Sequence, residues 1–416
     1  MTFLLRFALR NLARHRRRTF ITASALAVGL AAFLSMDSML LGADQESERN
    51  LVWYTYGGAR VATPEAAAEP DKLTLKFPLP DPDAVVAAAK AQGFAATPRL
   101  AFEAQLVASG AGAPVSRVIK ALGVDPDGDG NVFPRKALVL EGRWFVTGEP
   151  SVVLGRWLAD DLGVGVGQSV TLTTRTRAGS YQVIDLDVAG VVTAPDPSLN
   201  RYGVFLPLDQ AQLQLEMDGQ ATEVDIGIPP GSDAPQIAAR LQAALKARGL
   251  VVRVLSWRDL AQDYLALTSA KQKSSAMILF LVFVIAAVGV GNTFLMAFYE
   301  RKTEIGTLRA LGMPDRQLFW AFLVEAAGIG ILGAVLGLLL GGLLVFLLAG
   351  VGIDFSFLIR QMDIGYRISG VLYGAWSPSS FLGAGVLGVA VAVLCAVGPT
   401  RRALKLPITE SLRAEG

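Results

Sequence analysis

The sequence predicts a membrane protein with four transmembrane α-helices and a large α+β extracytoplasmic domain inserted between helices 1 and 2. Of the 416 residues, 52% are hydrophobic and only 18% are charged, and the mean hydropathy is +0.44. This composition is too apolar for an ordinary soluble protein. The apolar residues are concentrated in four runs, and a long polar stretch separates the first run from the other three. Because each run is long enough to cross a bilayer, four spans are expected.

The N-terminal residues predict a membrane-surface helix followed by the first span. In residues 1–18, Arg6, Arg10 and Arg14 repeat every four positions beside an apolar face. This pattern predicts a cytoplasmic amphipathic helix that lies on anionic lipid. Residues 19–42 then form TM1. A cleaved signal peptide is the alternative, but the run is about twice as long as the apolar region of a signal peptide.

Residues 43–272 are predicted to form a periplasmic α+β domain. Alternating or β-rich runs predict strands at 100–107, 169–174, 182–193, 204–206 and 224–228. Two helices have clear start and stop signals, one from Asp81 to Gly93 and one from about Asp233 to Gly249. Each helix is followed by a strand candidate, which suggests two related lobes rather than an all-β sandwich.

Two segments of this domain resemble ligand-binding loops. Asp125–Asn131 begins like a calcium loop, but Lys136 stands where a glutamate should bind the ion through both oxygens. We therefore favour a tight acidic turn. Gly163–Gly167 has the glycines of a phosphate loop without its lysine, and we favour a turn that leads into a strand at Val170. Neither segment is expected to bind a metal ion or a nucleotide.

Catalysis by the chain itself is not expected. The single histidine, His15, lies in an arginine cluster, so a Ser-His-Asp arrangement has no plausible base. The single cysteine, Cys395, lies in an apolar run, which excludes a disulfide framework and a cysteine-based metal site. We expect no catalytic residue, no metal site and no cofactor bound by this chain.

Three apolar runs follow the polar domain, at residues 275–298 (TM2), 318–349 (TM3) and 380–397 (TM4). TM3 has about 32 residues, more than an upright helix needs, and should tilt, bend or extend beyond the bilayer. Small residues at four-residue spacing let another helix approach closely. The glycines at this spacing are Gly333, Gly337 and Gly341 in TM3, with Gly388 beginning a weaker repeat in TM4.

Two carboxylates fall within the predicted spans. Asp37, near the far end of TM1, is either a pathway residue or a hydrated residue at the interface, and the second is favoured. Glu325 in TM3 either holds a contact inside the bundle or reaches the interface. No span has the rows of polar residues that would line an aqueous pathway for ions or sugars.

Basic residues determine the predicted orientation. Lysines and arginines cluster before TM1, between TM2 and TM3, and after TM4. All three clusters fall on the same side of the membrane, which must be the cytoplasm. The domain at 43–272 and the loop at 350–377 are then periplasmic, and the tail at 398–416 is cytoplasmic.

A charged segment between TM2 and TM3 is the leading candidate for a functional site. In residues 299–317, Ile305, Leu308 and Leu311 recur at helical spacing among charged side chains, and Gly312 then stops the helix. A segment this charged cannot lie in hydrocarbon. We therefore expect a helix on the cytoplasmic face that can receive force from a soluble partner, with a solvated turn as the alternative.

Several motifs resemble those of a transporter family. Tyr299–Gly312, Phe322–Ala326, Pro399–Arg413 and the arginine-rich Arg10–Arg18 are similar to motifs of the permease family of LolC/LolE and MacB. The cell-division protein FtsX is a more remote relative. One span, a large external domain and three further spans also match this family. The resemblance covers the architecture of the whole chain, and the motif at 300–312 is its specific part.

The resemblance implies a set of partners. The charged segment would be a coupling helix that docks into a separate ABC ATPase, present in two copies, which binds ATP and Mg²⁺. The coupling residues would be Glu300, Arg301, Lys302, Glu304, Ile305, Leu308, Arg309, Leu311 and Gly312. A second permease copy, identical or paralogous, would pair through spans one and two in the bacterial inner membrane. Membrane lipids are further partners, and nucleic acid is not.

Three functions fit the resemblance. The first is release of lipoproteins from the inner membrane to a periplasmic chaperone. We favour it because MacB carries a fused ATPase, whereas this sequence has no Walker motif. The second is the permease of a tripartite efflux system that works with an adaptor protein. The third is an FtsX-like signalling scaffold that controls a cell-wall hydrolase.

Overall fold

A computed structural model describes residues 16–70, 72–108, 115–229, 231–300, 302–361, 370–405 and 407. Four predicted features lie wholly or partly outside the described residues: the amphipathic helix at 1–18, Arg301, the loop at 350–377 and the tail at 398–416. The chain divides into two compact units. We call the described parts of 1–43, 268–353 and 372–416 the helical unit. We call the described parts of 44–267 and 354–371 the sheet domain.

Short helices are interspersed among the strands of the sheet domain, and the longest helices lie wholly or partly in the helical unit. The helices are α1 (Arg16–Asn50), α2 (Pro64–Ala68), α3 (Pro82–Ala91), α4 (Arg156–Leu162), α5 (Pro197–Tyr202), α6 (Leu208–Leu215), α7 (Ala234–Ala247), α8 (Trp257–Leu260), α9 (Gln262–Glu300), α10 (Lys302–Ala310), α11 (Asp315–Val351), α12 (Ser356–Gln361) and α13 (Pro378–Leu404). The strands are β1 (Ala59–Ala62), β2 (Ala96–Ala108), β3 (Val115–Val124), β4 (Val139–Gly142), β5 (Ser151–Gly155), β6 (Ser169–Arg175), β7 (Tyr181–Val192), β8 (Val204–Pro207), β9 (Glu223–Ile226), β10 (Arg253–Ser256), β11 (Ile353–Asp354) and β12 (Val371–Leu372).

Long apolar helices define the class of the molecule. Within the described ranges, three helices are long and apolar enough to cross a membrane: Thr19–Tyr56, Asp315–Val351 and Pro378–Leu404. They contain the runs predicted as TM1, TM3 and TM4. The run predicted as TM2 lies within α9. The chain is therefore a membrane protein with a large domain outside its candidate spans.

The first helix does not end with its apolar run at Gly42. It continues through the polar residues 43–50, and a six-residue π-helical turn, Leu51–Tyr56, extends it to Gly57, whose φ is +67°. The continuation has a local cause, because residues 43–50 include several good helix formers and neither glycine nor proline. Gly42 has a packing role instead, since a Cβ there would collide with the carbonyl of Tyr373.

The glycines of α11 lie against α1. A Cβ added at these positions would lie 2.7–2.9 Å from leucine side chains of α1. The pairs are Gly333 with Leu26, Gly337 with Leu30, and Gly341 with Leu34. A Cβ on Gly388 of α13 would also meet Leu30, at 2.8 Å. Because a larger residue would push the helices apart, these glycines permit the close packing of the three helices.

One lobe of the sheet domain consists of two βαβ units. β1–α3–β2 is the first and β9–α7–β10 is the second, and the strand order is β10-β1-β9-β2. The two helices cover this sheet around a core that includes Val85, Ile226 and Leu241. Asp81 and Asp233 cap the helices by accepting hydrogen bonds from backbone amides of the first turn. The helix bounds predicted from these caps are confirmed to within about two residues.

The other lobe is a small closed barrel. β2 pairs with β3, and β8, β5, β7 and β6 follow around the ring until β6 pairs with β2. β2 belongs to both lobes, because Ala96–Arg99 pairs with β9 whereas Gln105–Ala108 pairs with β6. Inward side chains such as Phe102, Leu106 and Leu172 fill the barrel. β4 pairs with the C-terminal end of β7, at Gly190–Val192, beyond the part of β7 that pairs with β6.

The prediction of two related lobes is wrong. The two βαβ units, whose helices the sequence signals detect, combine into one lobe, and the strands between them build the unrelated barrel. The physical reason is strand order. β9 lies between β1 and β2 and pairs with both, so neither βαβ unit forms a continuous sheet without a strand from the other.

Candidate functional site

The charged segment forms a short helix and a tight turn between α9 and α11. α10 covers Lys302–Ala310, and Gly312 beyond it has φ +90°. The Gly312 amide donates a hydrogen bond to the Arg309 carbonyl at 3.0 Å. A glycine in the left-handed region is the usual end of a helix, because other residues are strained there. Pro314 then precedes the first turn of α11.

The inner face of α10 is fixed by other helices of the helical unit. Ile305 is only 3% exposed and belongs to a small apolar cluster with Ala403 of α13 and Phe322 of α11. Gly306 beside it is also buried. Ile305 was predicted to belong to the coupling surface. Its burial makes it a residue that positions α10 rather than one that a partner could contact.

The opposite side of α10 is open, and we call it the outer face. It consists of Thr303, Glu304, Thr307, Ala310 and Leu311, all exposed. Leu311, in the turn directly after α10, is 79% exposed. An apolar side chain surrounded by polar and charged groups is suited to anchor a soluble protein.

Arg309 does not belong to the outer face. Its side chain is only 13% exposed, and its Nε donates to Asp315 Oδ1 at 2.9 Å. This ion pair connects the end of α10 with the start of α11 and so fixes the turn that carries Leu311. Among the other predicted coupling residues, Glu300 is exposed, Lys302 and Leu308 are half-buried, and Arg301 lies outside the described residues.

The two carboxylates predicted within the spans have different surroundings. Glu325 of α11 is buried, at 8% exposure, which favours the contact inside the bundle over the interfacial position. Asp37 of α1 is half-buried. One carboxylate on α1 and one on α11 do not form the row of polar side chains that an aqueous pathway would need.

The two loop-like segments have structural roles. Asp125 Oδ1 accepts from the Asp127 amide at 3.1 Å, and Asp129 is buried against Arg135, so these carboxylates do not converge on a common point. Gly163 ends α4 with φ +65° and leads toward β6. Across the described ranges, no group of three or more His, Cys, Asp or Glu side chains could hold a metal ion.

A buried ionic cluster in the sheet domain was not predicted from the sequence. It consists of Arg60, Arg99, Arg135, Asp129, Glu223 and Asp225, all buried. Arg60 donates to Asp225 at 2.9 Å and pairs with Glu223 at 2.9 Å, and Arg99 also donates to Asp225. Arg135 donates to Asp129 at 3.2 Å. Charged residues within predicted strands and turns could have indicated buried ion pairs. The sequence alone does not reveal which of these residues pair with one another.

Burial and the arginines act in opposite directions on the carboxyl groups of this cluster. Burial alone would raise the pKa of Asp225, but Arg60 and Arg99 together hold that pKa below its ordinary value. For Asp129, burial outweighs the attraction of Arg135, and its pKa is raised. Asp225 is therefore the firmly ionised member that holds two guanidinium groups.

Family comparisons agree with the architecture of a polytopic membrane protein with a large external domain. The FtsX-like permease C-terminal family model matches residues 276–408. The MacB-like periplasmic core domain model matches residues 19–244, more than half of the chain. The chain therefore belongs to the family of ABC transporter permeases that includes LolC, MacB and FtsX.

Curated relatives carry different names within this family. The chain is 24% identical over 280 residues to the lipoprotein-releasing system transmembrane protein LolC of Neisseria meningitidis, covering 65% of this chain and 66% of the relative. It is 26% identical over 437 aligned positions to MacB 2 of Aeromonas hydrophila, a macrolide export ATP-binding/permease protein, covering 99% and 60%. An uncharacterized permease of Methanocaldococcus jannaschii is 27% identical, covering 63% and 65%. The chain thus spans less than two thirds of the length of these relatives.

Proposed function

We propose that this chain is the transmembrane subunit of an ABC transporter that releases lipoproteins from the inner membrane to a periplasmic chaperone. The observation that carries the proposal is the scarcity of charge in the spans. The four apolar runs contain only two acidic residues, Asp37 and Glu325, and no lysine or arginine. A cargo whose acyl chains stay in lipid needs no aqueous lining. The likeness to LolC of Neisseria meningitidis points to the same cargo.

In this proposal, α9 supplies span two, in addition to the spans in α1, α11 and α13, and the sheet domain is periplasmic and inserted between spans one and two. The basic residues flanking the apolar runs support cytoplasmic termini and a cytoplasmic α10. A second permease copy, identical or paralogous, completes the membrane part.

The outer face of α10 docks into an ABC ATPase subunit, which is separate from this chain. Two such subunits bind ATP and Mg²⁺, and their closure moves the periplasmic domains instead of opening a pore. Leu311 supplies the apolar contact, and the Arg309–Asp315 ion pair keeps the turn in place.

The test is purification of the full chain from native membranes in mild detergent, with mass spectrometry of every protein that co-purifies. We expect an ABC ATPase together with acylated lipoproteins or a soluble lipid-binding chaperone. Recovery of a cell-wall hydrolase would instead assign an FtsX-like signalling role. If no ATPase co-purifies, the assignment of α10 fails.

A MacB-like efflux permease is the second candidate function. One observation favours it: the likeness to MacB 2 of Aeromonas hydrophila extends over 99% of this chain, compared with 65% for LolC. An adaptor protein and an outer-membrane exit duct, recovered in the same purification, would support efflux over lipoprotein release.

A further inference from the structure

The end of α1 is enclosed by the sheet domain. The π-helical turn that continues α1, Leu51–Tyr56, is a rare conformation that often occurs at functional positions. Leu51 is fully buried and packs with Trp257, in the chain segment that leads into α9. Tyr54 belongs to the same apolar cluster as Phe205 of the barrel. The apolar side chains of one helix end thus contact residues near α9 and residues of the barrel.

Two buried arginines bind the backbone of this helix end. Arg135 Nη2 donates to the Tyr54 carbonyl at 2.9 Å, and Arg99 Nη1 donates to the Thr55 carbonyl at 3.4 Å. The last carbonyl groups of a helix lack partners within the helix and carry the negative end of its dipole. The two guanidinium groups supply hydrogen-bond donors to these carbonyl groups and positive charge at the negative end of the dipole. The hydroxyl of Thr55 adds a hydrogen bond to Asp196 at 3.2 Å.

The arginines are themselves held in fixed orientations. Both guanidinium groups lie over the ring of Phe133, at 4.7 Å for Arg99 and 3.9 Å for Arg135. Asp225 holds the first and Asp129 the second. A guanidinium with several simultaneous partners fixes direction as well as distance.

The position of each partner connects the helix to both lobes. Arg99 lies on β2, the strand shared by the lobes, and its partner Asp225 lies on β9 of the βαβ lobe. Arg135 also lies 5.0 Å from the ring of Phe205 on β8 of the barrel. Buried ion pairs are poor sources of stability, because apolar residues of similar size often serve as well. Their value lies in holding a defined geometry.

We propose that Arg99 and Arg135 form a clamp on the end of α1, which makes the helix end and both lobes move as one body. They are positioning residues: they act by passing displacement of the first membrane helix to the sheet domain. This role rests on the proposed function, in which ATP-driven movement of the spans does work outside the membrane.

The test separates rigidity from activity. In the full chain with Cys395→Ala, spin labels at Gln45→Cys of α1 and Asp185→Cys of β7 report the distance distribution between helix end and barrel in nanodiscs. A second pair, Gln45→Cys with Ala239→Cys of α7, reports on the βαβ lobe. All three label sites are exposed. We expect narrow distributions in the unmodified clamp.

The main variant is Asp129→Leu with Arg135→Met, which removes both charges and so leaves no unpaired buried carboxylate. Arg99→Met is the second variant, because Asp225 keeps Arg60 as a partner. We expect each variant to increase the width of the distance distribution between the labels at positions 45 and 185 at least about twofold. Such broadening would report greater motion of the helix end relative to the barrel, with the fold retained. Cargo release should fall about tenfold while ATP hydrolysis by the reconstituted complex continues. This is the result expected when the ATPase and the sheet domain are no longer coupled.

The matched control is Arg143→Met with Glu149→Leu, an exposed arginine–carboxylate pair of the same domain. It should leave both distributions and the activity unchanged. Distributions that stay narrow in both clamp variants would overturn the clamp, whatever the activity. If the unmodified protein fails to release lipoproteins, the proposed function fails, and the spectroscopy still decides whether the clamp exists.

Discussion

Leu311 and Arg309 are two residues apart and have different surroundings. The sequence places both in the same charged segment, and the family resemblance implies that both couple to an ATPase. In the structure Leu311 projects from the outer face, whereas Arg309 is occupied by Asp315. Burial, which depends on how α10 packs against α11 and α13, thus separates Leu311, which we propose as the ATPase contact, from Arg309, which holds the turn in place.

Leu311→Asp should weaken binding of the ATPase at least about tenfold, because it replaces an exposed apolar anchor with a charge. The measurement is the amount of ATPase that co-purifies with the variant, or its affinity for reconstituted permease. Leu213→Asp is the control, since Leu213 is also exposed, at 62%, but lies in the sheet domain. Equal ATPase binding by both variants would contradict the docking role of the outer face.

Asp225 gives the stability of the protein a predictable pH dependence. Its pKa in the folded state is held below the ordinary value of about 3.9. A depressed carboxyl pKa contributes stability that is complete above the unfolded pKa and is lost as the pH falls through the folded pKa.

Asp225→Asn should therefore destabilise the protein by a constant amount at neutral pH. The difference in unfolding free energy from the unmodified protein should shrink only below about pH 4. Denaturant titrations of both proteins at a series of pH values, from neutral pH to the lowest pH at which the unmodified protein stays folded, measure this difference. A difference that already shrinks near neutral pH would mean that the arginines do not hold the Asp225 pKa down.

At the scale of elements, glycine spacing is the most informative pattern in the helical unit. Four-residue spacing in TM3 predicts that another helix approaches closely, and in the structure that helix is α1. A Cβ on Gly337 would lie 2.9 Å from Leu30 Cβ and 3.1 Å from Ala27 Cα. The second of these is a backbone atom, so the contact is not relieved by rotating a side chain.

Gly337→Ala should therefore destabilise the helical unit by about 1–3 kcal/mol through overpacking. Gly350→Ala, in the same helix with no atom within 4 Å of an added Cβ, should be neutral or slightly stabilising because alanine favours helix. Unfolding in mixed micelles with increasing denaturing detergent measures both. Equal stability of the two variants would argue against tight packing of α11 on α1.

The helix and strand predictions succeed where local signals are strong. Capped helices α3 and α7 are confirmed, and so are β2, β6, β7, β8 and β9. The missed strands include β1, with its buried Arg60, and the short strands β4, β5 and β10. β1 and β5 are buried along their whole length between strands distant in sequence, such as β9 and β10 for β1, so their residues lack an alternating pattern. β4 is mostly exposed, and only the last two residues of β10 are buried.

At the scale of the whole molecule, the proposed orientation has a direct test. In a Cys395→Ala background, a cysteine at Asp218 of the sheet domain should react with a membrane-impermeant thiol reagent outside the inner membrane. A cysteine at Thr303 of α10 should react only after the membrane is permeabilised. Both positions are exposed, so access depends on the side of the membrane. The reverse pattern would invert the predicted topology.

The sequence alone determined the membrane class, the apolar runs, the charged segment and the family resemblance, because hydropathy, glycine spacing and capping residues act locally. Only the tertiary structure decided that α1 continues past Gly42 into the sheet domain, that Ile305 is buried, and that two βαβ units share one lobe. It also decided the partners of Arg99 and Arg135, whose ionic contacts reach across as many as 126 residues. Such contacts depend on chain topology, and local sequence patterns carry no record of which distant segments the fold brings together.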